Sequence, residues 1–518
     1  MLKKLILRGA FKGGVHPREG KELTKDLQFE VLPTPKTVYI PLSQHAGREA
    51  KLLVAKGSIV KKGTLLAEPE GFISAPIHSS VNGTVSKIVK TAHLSGAPKT
   101  VIEISVTQPK EPVAEAAGPQ KVSATVAATV TPGVSTATEA ASVQKVNATV
   151  AATVTPGGNT TAEPADATEV AEEPQEKKVA EPENEFFPPL NPKTATKEEL
   201  LERIKEAGIV GMGGAAFPMF VKLSPPPGKK IEKLIINAAE CEPYLTRDYR
   251  LILEYTDQLI GGIEILMKIT GVECVIGIED NKPEAIVLLK NKLGSRSDIR
   301  VEVLPVKYPQ GAEKMLIYAI TGKKVPPGKL PVDVGVVMQN VGTAISVWKA
   351  VTEGTPQTDA WITVTGEGIK TPKNLIVPVG TPISEILEFC GGLTPEAIKV
   401  IAGGPMMGTN LYDYNAPVMK ATSGLLVLTS DTSAPVEAIA CLRCGKCVEV
   451  CPVNLLPTRL SRFSKLQRFE DAEEAGIFSC MECGCCAYEC PAGIPLVQWI
   501  RLGKKELLKI KAQERKSA

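Results

Sequence analysis

The sequence predicts a multidomain chain of mixed α+β and α/β class: a small β-rich unit, an α/β domain, a short mixed unit and a helical, cysteine-rich end. Three observations predict it. The chain has 518 residues, too many for one hydrophobic core. A stretch from about Gln108 to Glu185 is compositionally foreign to both flanks. The hydrophobic period also changes along the chain, from short apolar runs to strand–helix alternation to cysteine-spaced segments.

Composition narrows the function. Net charge is only +3 with 23% charged residues, so no basic field invites nucleic acid. Aromatics are 4%, which leaves little to stack on bases. No run of 18 apolar residues occurs, and the apolar part of MLKKLILRGAFKGG is too short for a signal peptide. The expectation is a chain soluble by itself in the cytoplasm, able to dock on a membrane through partners.

The first unit, residues 1–107, carries six short apolar runs, at 37–41, 52–55, 63–68, 73–76, 83–89 and 100–106, separated by Gly, Pro and Asn-Gly turn signals. The segment VAKGSIVKKGTLLAEPEGFISAPIHSSVNGTVSKI resembles the lipoyl and biotinyl carrier fold, a barrel-sandwich of hairpins. Those carriers display a modifiable Lys at a hairpin tip. Here the turn reads Glu68-Pro69-Glu70-Gly71-Phe72, so a docking or scaffolding module is expected in place of a swinging arm. His16, His45, His78 and His93 all fall in this unit without ligand spacing; surface or turn positions are expected for them.

Residues 108–188 read as a flexible linker rich in Ala, Thr, Val, Pro and Glu. QKVSATVAATVTPG at 120–133 returns as QKVNATVAATVTPG at 144–157. Two copies cannot stack a solenoid core. From 189 to 358 the pattern turns α/β. A helix is expected from Lys197 after the N-cap Thr196, then a strand at 233–239, one long helical stretch at 245–270, a strand at 273–279 and a helix at 284–292. A strand at 300–306, a helix at 311–320 and a strand at 334–338 complete the alternation, which predicts a parallel sheet flanked by helices. Residues 359–412 read strand, turn, strand, helix, strand, a β-grasp unit. Residues 413–518 hold the cysteines on short helices and loops.

Eight of the 12 cysteines form two copies of one pattern. Cys441-x-x-Cys444-x-x-Cys447-x-x-x-Cys451-Pro452 is followed by Cys480-x-x-Cys483-x-x-Cys486-x-x-x-Cys490-Pro491. In this bacterial ferredoxin run three close thiolates hold one cubane and the fourth reaches the other. One 4Fe–4S cluster then takes Cys441, Cys444, Cys447 and Cys490, and the other Cys480, Cys483, Cys486 and Cys451. Zinc knuckles do not require the trailing x-x-x-Cys-Pro, and disulfides fit clustered spacings in a cysteine-poor chain less well. Cys241, Cys274 and Cys390 are expected as buried free thiols. Cys485 stands beside Cys486, and the ferredoxin spacing selects Cys486. The basic end, KKELLKIKAQERKSA, reads as a solvated helix end.

A second site is expected in the α/β domain. Gly208-Ile-Val-Gly211-Met-Gly213-Gly214-Ala-Ala-Phe217-Pro218 is followed by Lys222. Such glycines let backbone amides approach a phosphate, and a following Lys neutralises it. A tight turn is the plain alternative, because no strand precedes the loop as a dinucleotide fingerprint requires. Asn237-Ala-Ala-Glu240-Cys241-Glu242-Pro243-Tyr244 and Gln339-Asn340-Val341-Gly342-Thr343 both close apolar strands, where open α/β sheets bind ligands. Three polar turns at strand ends predict a nucleotide or flavin pocket.

Gly211–Phe217, Asn237–Pro243 and Asn340–Thr343 resemble the flavin and nicotinamide motifs of the NADH-oxidising subunit of respiratory complex I. The full domain order, with the stretches NAAECEPYLTRD, GPMMG and the second cysteine run through IPLVQWI, resembles the C-subunit family of Rnf electron-transport complexes, everywhere except the linker. The chain departs from the complex I pattern at Met212 (Arg there), Ala216 (Gly), Ala239 (an acid) and Ala312-Glu313 (two acids). The resemblance implies a β-grasp of the SLBB type, FMN and NADH, and electron flow between NADH and ferredoxin coupled to sodium or proton translocation. It implies Gly211, Gly213, Gly214 and Lys222 at phosphate and ribityl groups and Asn237, Glu240, Asn340 and Thr343 along FMN. Phe217 and Glu242 would meet the nicotinamide and ribose. The implied partners are membrane subunits of the Rnf type and a ferredoxin-like iron–sulfur subunit, with the chain peripheral on the cytoplasmic face of the cell membrane. No covalent nucleophile is expected, since a flavin itself converts hydride to single electrons. Two rival readings share the architecture: a cobalamin reductase of bacterial microcompartments, and a relay or scaffold subunit whose flavin pocket has decayed.

Overall fold

The computed structural model describes residues 11–94, 96–107, 185–433 and 437–517. The repeated segment and nearly all of the expected linker lie outside the described residues. Its last residues are packed: Glu185 N–H donates to the Lys62 carbonyl (2.8 Å) and Phe187 N–H to the Gly354 carbonyl (3.0 Å).

The first unit is a sandwich of two antiparallel sheets. Thr37–Pro41, Lys99–Val106, Gly83–Thr91 and Ile59–Val60 form one, and Lys51–Leu52, Leu65–Glu68 and Ile77–His78 the other. Val38, Ile40, Leu66, Ile77, Ile102 and Ile104 fill the space between them with no exposed surface, each contributing about 1.5–3 kcal/mol by burial. His16 is exposed as expected and His45 half-buried, but two histidines correct the expectation of surface or turn positions. His78 and His93 are buried, His78 edge-on to Phe187 and His93 Nε2 at 3.0 Å from the Ser43 carbonyl. Burial, and after it the charge of Lys420, drives His78 down to about 3.

In the α/β domain the helix Lys197–Glu206 opens with a capping box: Glu199 N–H donates to Thr196 Oγ1 and Thr196 N–H to the Glu199 carboxylate. The sheet is fully parallel, in the order Ile299–Leu304, Cys274–Glu279, Lys233–Ala238, Val336–Asn340. Its residues alternate as a strand requires: Leu234 and Ile236 pack with Leu200, Ile263 and Ile345, while Ile235 packs on the other face with Leu316 and Met338. The single long helix expected over 245–270 is instead two, Arg247–Glu254 and Thr256–Thr270. Tyr255 breaks it at φ −125°, ψ 35°, and its ring meets Phe29 and Trp361 edge-on, so the kink is fixed by packing against the next domain.

The β-grasp sheet has the order Phe29–Val31, Lys373–Pro378, Asp359–Thr365, Gly424–Thr429, Ala397–Ala402, Thr409–Asn410. It extends beyond 359–412 at both sides, taking a strand from the first unit and one from past residue 412. The helix Ile383–Phe389 closes it through Ile383, Ile386 and Leu387. At the C-terminal end, Pro457–Lys465, Phe469–Glu474 and Leu496–Ser517 bury Leu460, Ala472, Ile500 and Leu507. The basic end is thus more than a solvated tail: Lys504 Nζ donates to the Cys480 carbonyl at 2.7 Å. No helix among the described residues is long and apolar enough to cross a membrane.

One buried cation joins three domains. Lys420, 1% exposed, donates from Nζ to the Pro76 carbonyl (3.0 Å) and the Gly208 carbonyl (2.8 Å). Burial lowers it to about 7.

Candidate functional site

The strand order runs outward from Lys233–Ala238 in both directions, so the carboxyl ends of Lys233–Ala238 and Val336–Asn340 flank a topological switch point, where open α/β sheets take ligands. Register places Asn237 directly beside Asn340. The helix Val341–Thr352 starts there with Asn340 as its N-cap, Oδ1 accepting from Gly342 N–H at 2.9 Å. Its N-terminus favours an anion.

The glycine loop is fastened above this point. Gly211 N–H donates to the Phe217 carbonyl (2.9 Å), which closes the loop, and Met212 N–H donates to Thr343 Oγ1 (2.9 Å). Arg247 donates from Nη2 to the Met212 carbonyl (3.1 Å). Gly213, Gly214 and Ala215 are exposed. A Cβ on Gly214, at φ +143°, would meet nothing within 4 Å, and one on Gly213 only Asn340 Cβ. The backbone there is open to approach, as a phosphate-binding loop must be.

The structure brings most of the sequence-predicted residues together at this rim and gives several of them internal partners, whereas Glu242 turns to the Met406–Met407 loop. Asn237 Nδ2 donates to the Gly311 carbonyl (2.8 Å). The Glu240 carboxylate accepts from Asp248 and Tyr249 N–H, capping Arg247–Glu254, and Lys21 Nζ lies 3.7 Å away. The Glu242 carboxylate accepts from Met406 N–H (3.2 Å) and Met407 N–H (2.9 Å), and burial raises it to about 7. Asn340 Nδ2 donates to Asp248 Oδ2 (2.6 Å). Lys222 pairs with Glu313 (2.9 Å) and donates to the Met338 carbonyl (3.3 Å). Phe217 is half-buried at the loop's return.

Sequence reading missed three rim residues. Arg247 Nη1, Gln339 Nε2 and both amide atoms of Gln310 are buried without a hydrogen-bond partner. Gln339 is the penultimate strand residue, Gln310 precedes the Gly311 that Asn237 holds, and Arg247 touches Met212. Buried polar groups demand partners, and a polar ligand at the switch point would supply them. The rim therefore fits a flavin nucleotide. Gln339, the penultimate residue of its strand, and Arg247, the first residue of its helix, lie inside the quoted Gln339–Thr343 and NAAECEPYLTRD stretches, which was the available signal for them; Gln310, in the loop well past the strand Ile299–Leu304, had none.

The cysteines border two cavities. Cys441, Cys444, Cys447 and Cys490 line one; Cys451, Cys480, Cys483 and Cys486, with Cys485, line the other. The two runs share one backbone design. Arg443 and Glu482 take φ of 54° and 60°, and Gly445 and Gly484 both take 81°. These left-handed residues aim amides at sulfur: Arg443 N–H lies 3.5 Å from Cys441 Sγ and Glu482 N–H 3.4 Å from Cys480 Sγ. For Arg and Glu that conformation costs about 1–2 kcal/mol, and the reward is an amide nest for an anionic cluster. Burial pushes the Cys447 and Cys451 thiols up and Cys480 to about 11. Such thiols yield their protons to a soft metal ion more readily than to water. Each quartet lines its own cavity, as two separate clusters require. Both quartets fit iron–sulfur cubanes.

Comparison with known proteins agrees with this geometry. A family model for the Nuo51 FMN-binding domain matches residues 204–349, one for the RnfC barrel sandwich hybrid domain residues 9–108, an SLBB domain residues 361–410 and a 4Fe-4S dicluster domain residues 440–494. FMN and two 4Fe–4S clusters are thus the cofactors of this chain. The C subunit of the proton-translocating ferredoxin:NAD(+) oxidoreductase complex of Clostridium ljungdahlii is 40% identical over 96% of this chain and 94% of its own length. The Na(+)-translocating counterpart of Acetobacterium woodii is 37% identical over 99% of each. The C subunit of an ion-translocating oxidoreductase complex of Rhodobacter capsulatus is 36% identical over 96% of this chain and 83% of its own. With its sandwich, flavin, SLBB and dicluster domains all matched in order, the chain belongs to the RnfC family, the C subunits of ion-translocating ferredoxin:NAD+ oxidoreductase complexes.

Proposed function

We propose that this subunit exchanges electrons with NADH at the sheet's switch point and relays them singly through the two thiol quartets to a ferredoxin-like iron–sulfur subunit. Its membrane partners would couple that flow to sodium or proton translocation, with the chain peripheral on the cytoplasmic face. When bound, FMN supplies the conversion between a two-electron hydride and one-electron transfer. The chain's own residues do the rest. Gly213 and Gly214 present open backbone to phosphate and ribityl groups, with Gly211 closing the loop and the N-terminus of Val341–Thr352 beneath them. Lys222 supplies a cation from the short helix Met219–Leu223. Asn237, Glu240, Asn340 and Thr343 fix the loops around the flavin edge, and Phe217 and Glu242 stand on the nicotinamide side. The eight run cysteines supply thiolates for the clusters.

The observation that carries this reading is the hydrogen bond between the two centres: Tyr308, on the loop that Asn237 holds, donates from its hydroxyl to the Cys483 carbonyl at 2.7 Å. A second reading, a relay subunit without NADH chemistry, draws support from the internal partners of Lys222, Glu242 and Asn340. Anaerobic addition of NADH to protein loaded with FMN, iron and sulfide separates the two. Flavin bleaching with cubane-type EPR signals is expected; clusters that only dithionite reduces would establish the relay reading.

A further inference from the structure

The two thiol quartets differ in their relation to the flavin rim. In the first quartet Cys441 and Cys444 are exposed, Cys490 half-buried and Cys447 buried; in the second Cys451, Cys483 and Cys486 are buried and Cys480 half-buried. Around the second quartet, Val15, Tyr308, Cys483 and Cys485 form one apolar cluster, with Cys241, Met406, Val450 and Met481 packed against it. Cys241 belongs to the turn after the central strand, so this cluster runs without interruption from the flavin rim to the sulfur ligands.

The segment Tyr308–Gly311 is its spine. At one end Gly311 N–H donates to Cys241 Sγ (3.1 Å) and the Gly311 carbonyl accepts from Asn237 Nδ2 (2.8 Å). At the other, Tyr308, 2% exposed, holds the Cys483 carbonyl. Its backbone pairs with Val15 in both directions, at 2.8 and 3.0 Å, and Gly14 N–H donates to the Val450 carbonyl (2.8 Å). A Cβ on Gly13 would lie 2.9 Å from the Cys451 backbone. Tyr308 is therefore clamped between the loops of Cys483 and Cys451, two ligands of one quartet. No such tie runs from the rim to the Cys441 and Cys444 loop in the hydrogen bonds of the described residues.

We infer that the Tyr308–Gly311 segment is the positioning element that makes the Cys451, Cys480, Cys483, Cys486 cluster the first electron acceptor from the flavin. The Cys441, Cys444, Cys447, Cys490 cluster follows it and faces the partner. This rests on the function proposed above. Oxidation of one NADH to NAD+ yields two electrons and one proton; each cluster takes one electron, and the proton leaves to solvent. Tyr308 acts through Cys483: its hydrogen bond fixes the loop's distance from the rim and withdraws charge from a ligand's peptide, a tie of the kind that tunes metal centres.

The test is freeze-quench EPR on the full chain loaded with FMN, iron and sulfide. Cys444→Ala, lacking the outer cluster, should keep an NADH-reducible cluster on the wild-type time course. Cys480→Ala should keep a cluster that dithionite reduces but NADH reduces at least tenfold more slowly. Tyr308→Phe, which retains the buried ring, should bind full iron and FMN, slow flavin-to-cluster transfer several-fold and shift the EPR signal of one cluster only. The reverse pattern in the two cysteine variants, or a Tyr308→Phe protein with both signals and the rate unchanged, overturns the inference. Photoreduction of bound FMN in place of NADH separates the two layers: if NADH reduces nothing but photoreduced flavin fills the clusters in this order, the NADH reading fails and the positioning role stands.

Discussion

Glu240 shows how a single side chain serves both fold and site. It sits at φ +47°, a position that costs a non-glycine residue, and its buried carboxylate caps the Arg247–Glu254 helix. Glu240→Ala strands two amides and should lower stability by about 1–3 kcal/mol, read by urea denaturation, with FMN affinity falling as the turn loosens. Lys420 makes a pH prediction. Its folded value near 7 lies below the 10.5 of an unperturbed lysine. Between those values the unfolded chain binds the extra proton, so stability rises with pH, by up to about 1.4 kcal/mol per pH unit. Thermal melts of the wild type should gain on those of Lys420→Met from pH 7 to 10; a constant gap would show that the lysine keeps its proton when folded.

Elements differ in how far they were legible. The cysteine runs and the parallel sheet were, because each is written in local spacing: x-x between thiols, apolar runs ending in Asn237 and Asn340. The strand Phe29–Val31 was not, since three residues pair with Asn374–Ile376 far along the chain and carry no periodic signal. The break at Tyr255 was hidden for the same reason, its cause being Trp361 across a domain boundary. Internal partners of Glu242 and Lys222 also escaped, because a charge at a strand end looks alike whether it awaits a ligand or holds a neighbouring loop. At this scale two outcomes are expected. Gly213→Leu, which covers the open loop above Asn340, should weaken FMN binding at least about tenfold, roughly 1.4 kcal/mol, and leave iron content unchanged. Cys444→Ala should remove one cluster and spare the flavin spectrum.

Across the whole molecule the described domains interlock. Lys420 joins the sandwich, the flavin domain and the β-grasp; Ala46 N–H donates to the Ala216 carbonyl of the glycine loop at 3.2 Å, and Phe72 meets Phe220 edge-on. The sandwich thus rests on the flavin loop. Deleting residues 110–180 should leave NADH oxidation by the isolated subunit unchanged; a dead protein would show that the stretch is more than a tether.

The clamp at Gly13–Val15 also bears on how the protein is made. These residues leave the ribosome long before their partners, Tyr308, Val450 and Cys451, are synthesised. The segment is therefore already present when the cysteine loops emerge, and the cluster has to be loaded before or while it docks if Cys451 and Cys483 are to be reached. Early docking of the Gly13–Val15 segment would close them off, so loading of the inner cluster should depend on the timing of synthesis as well as on the supply of iron.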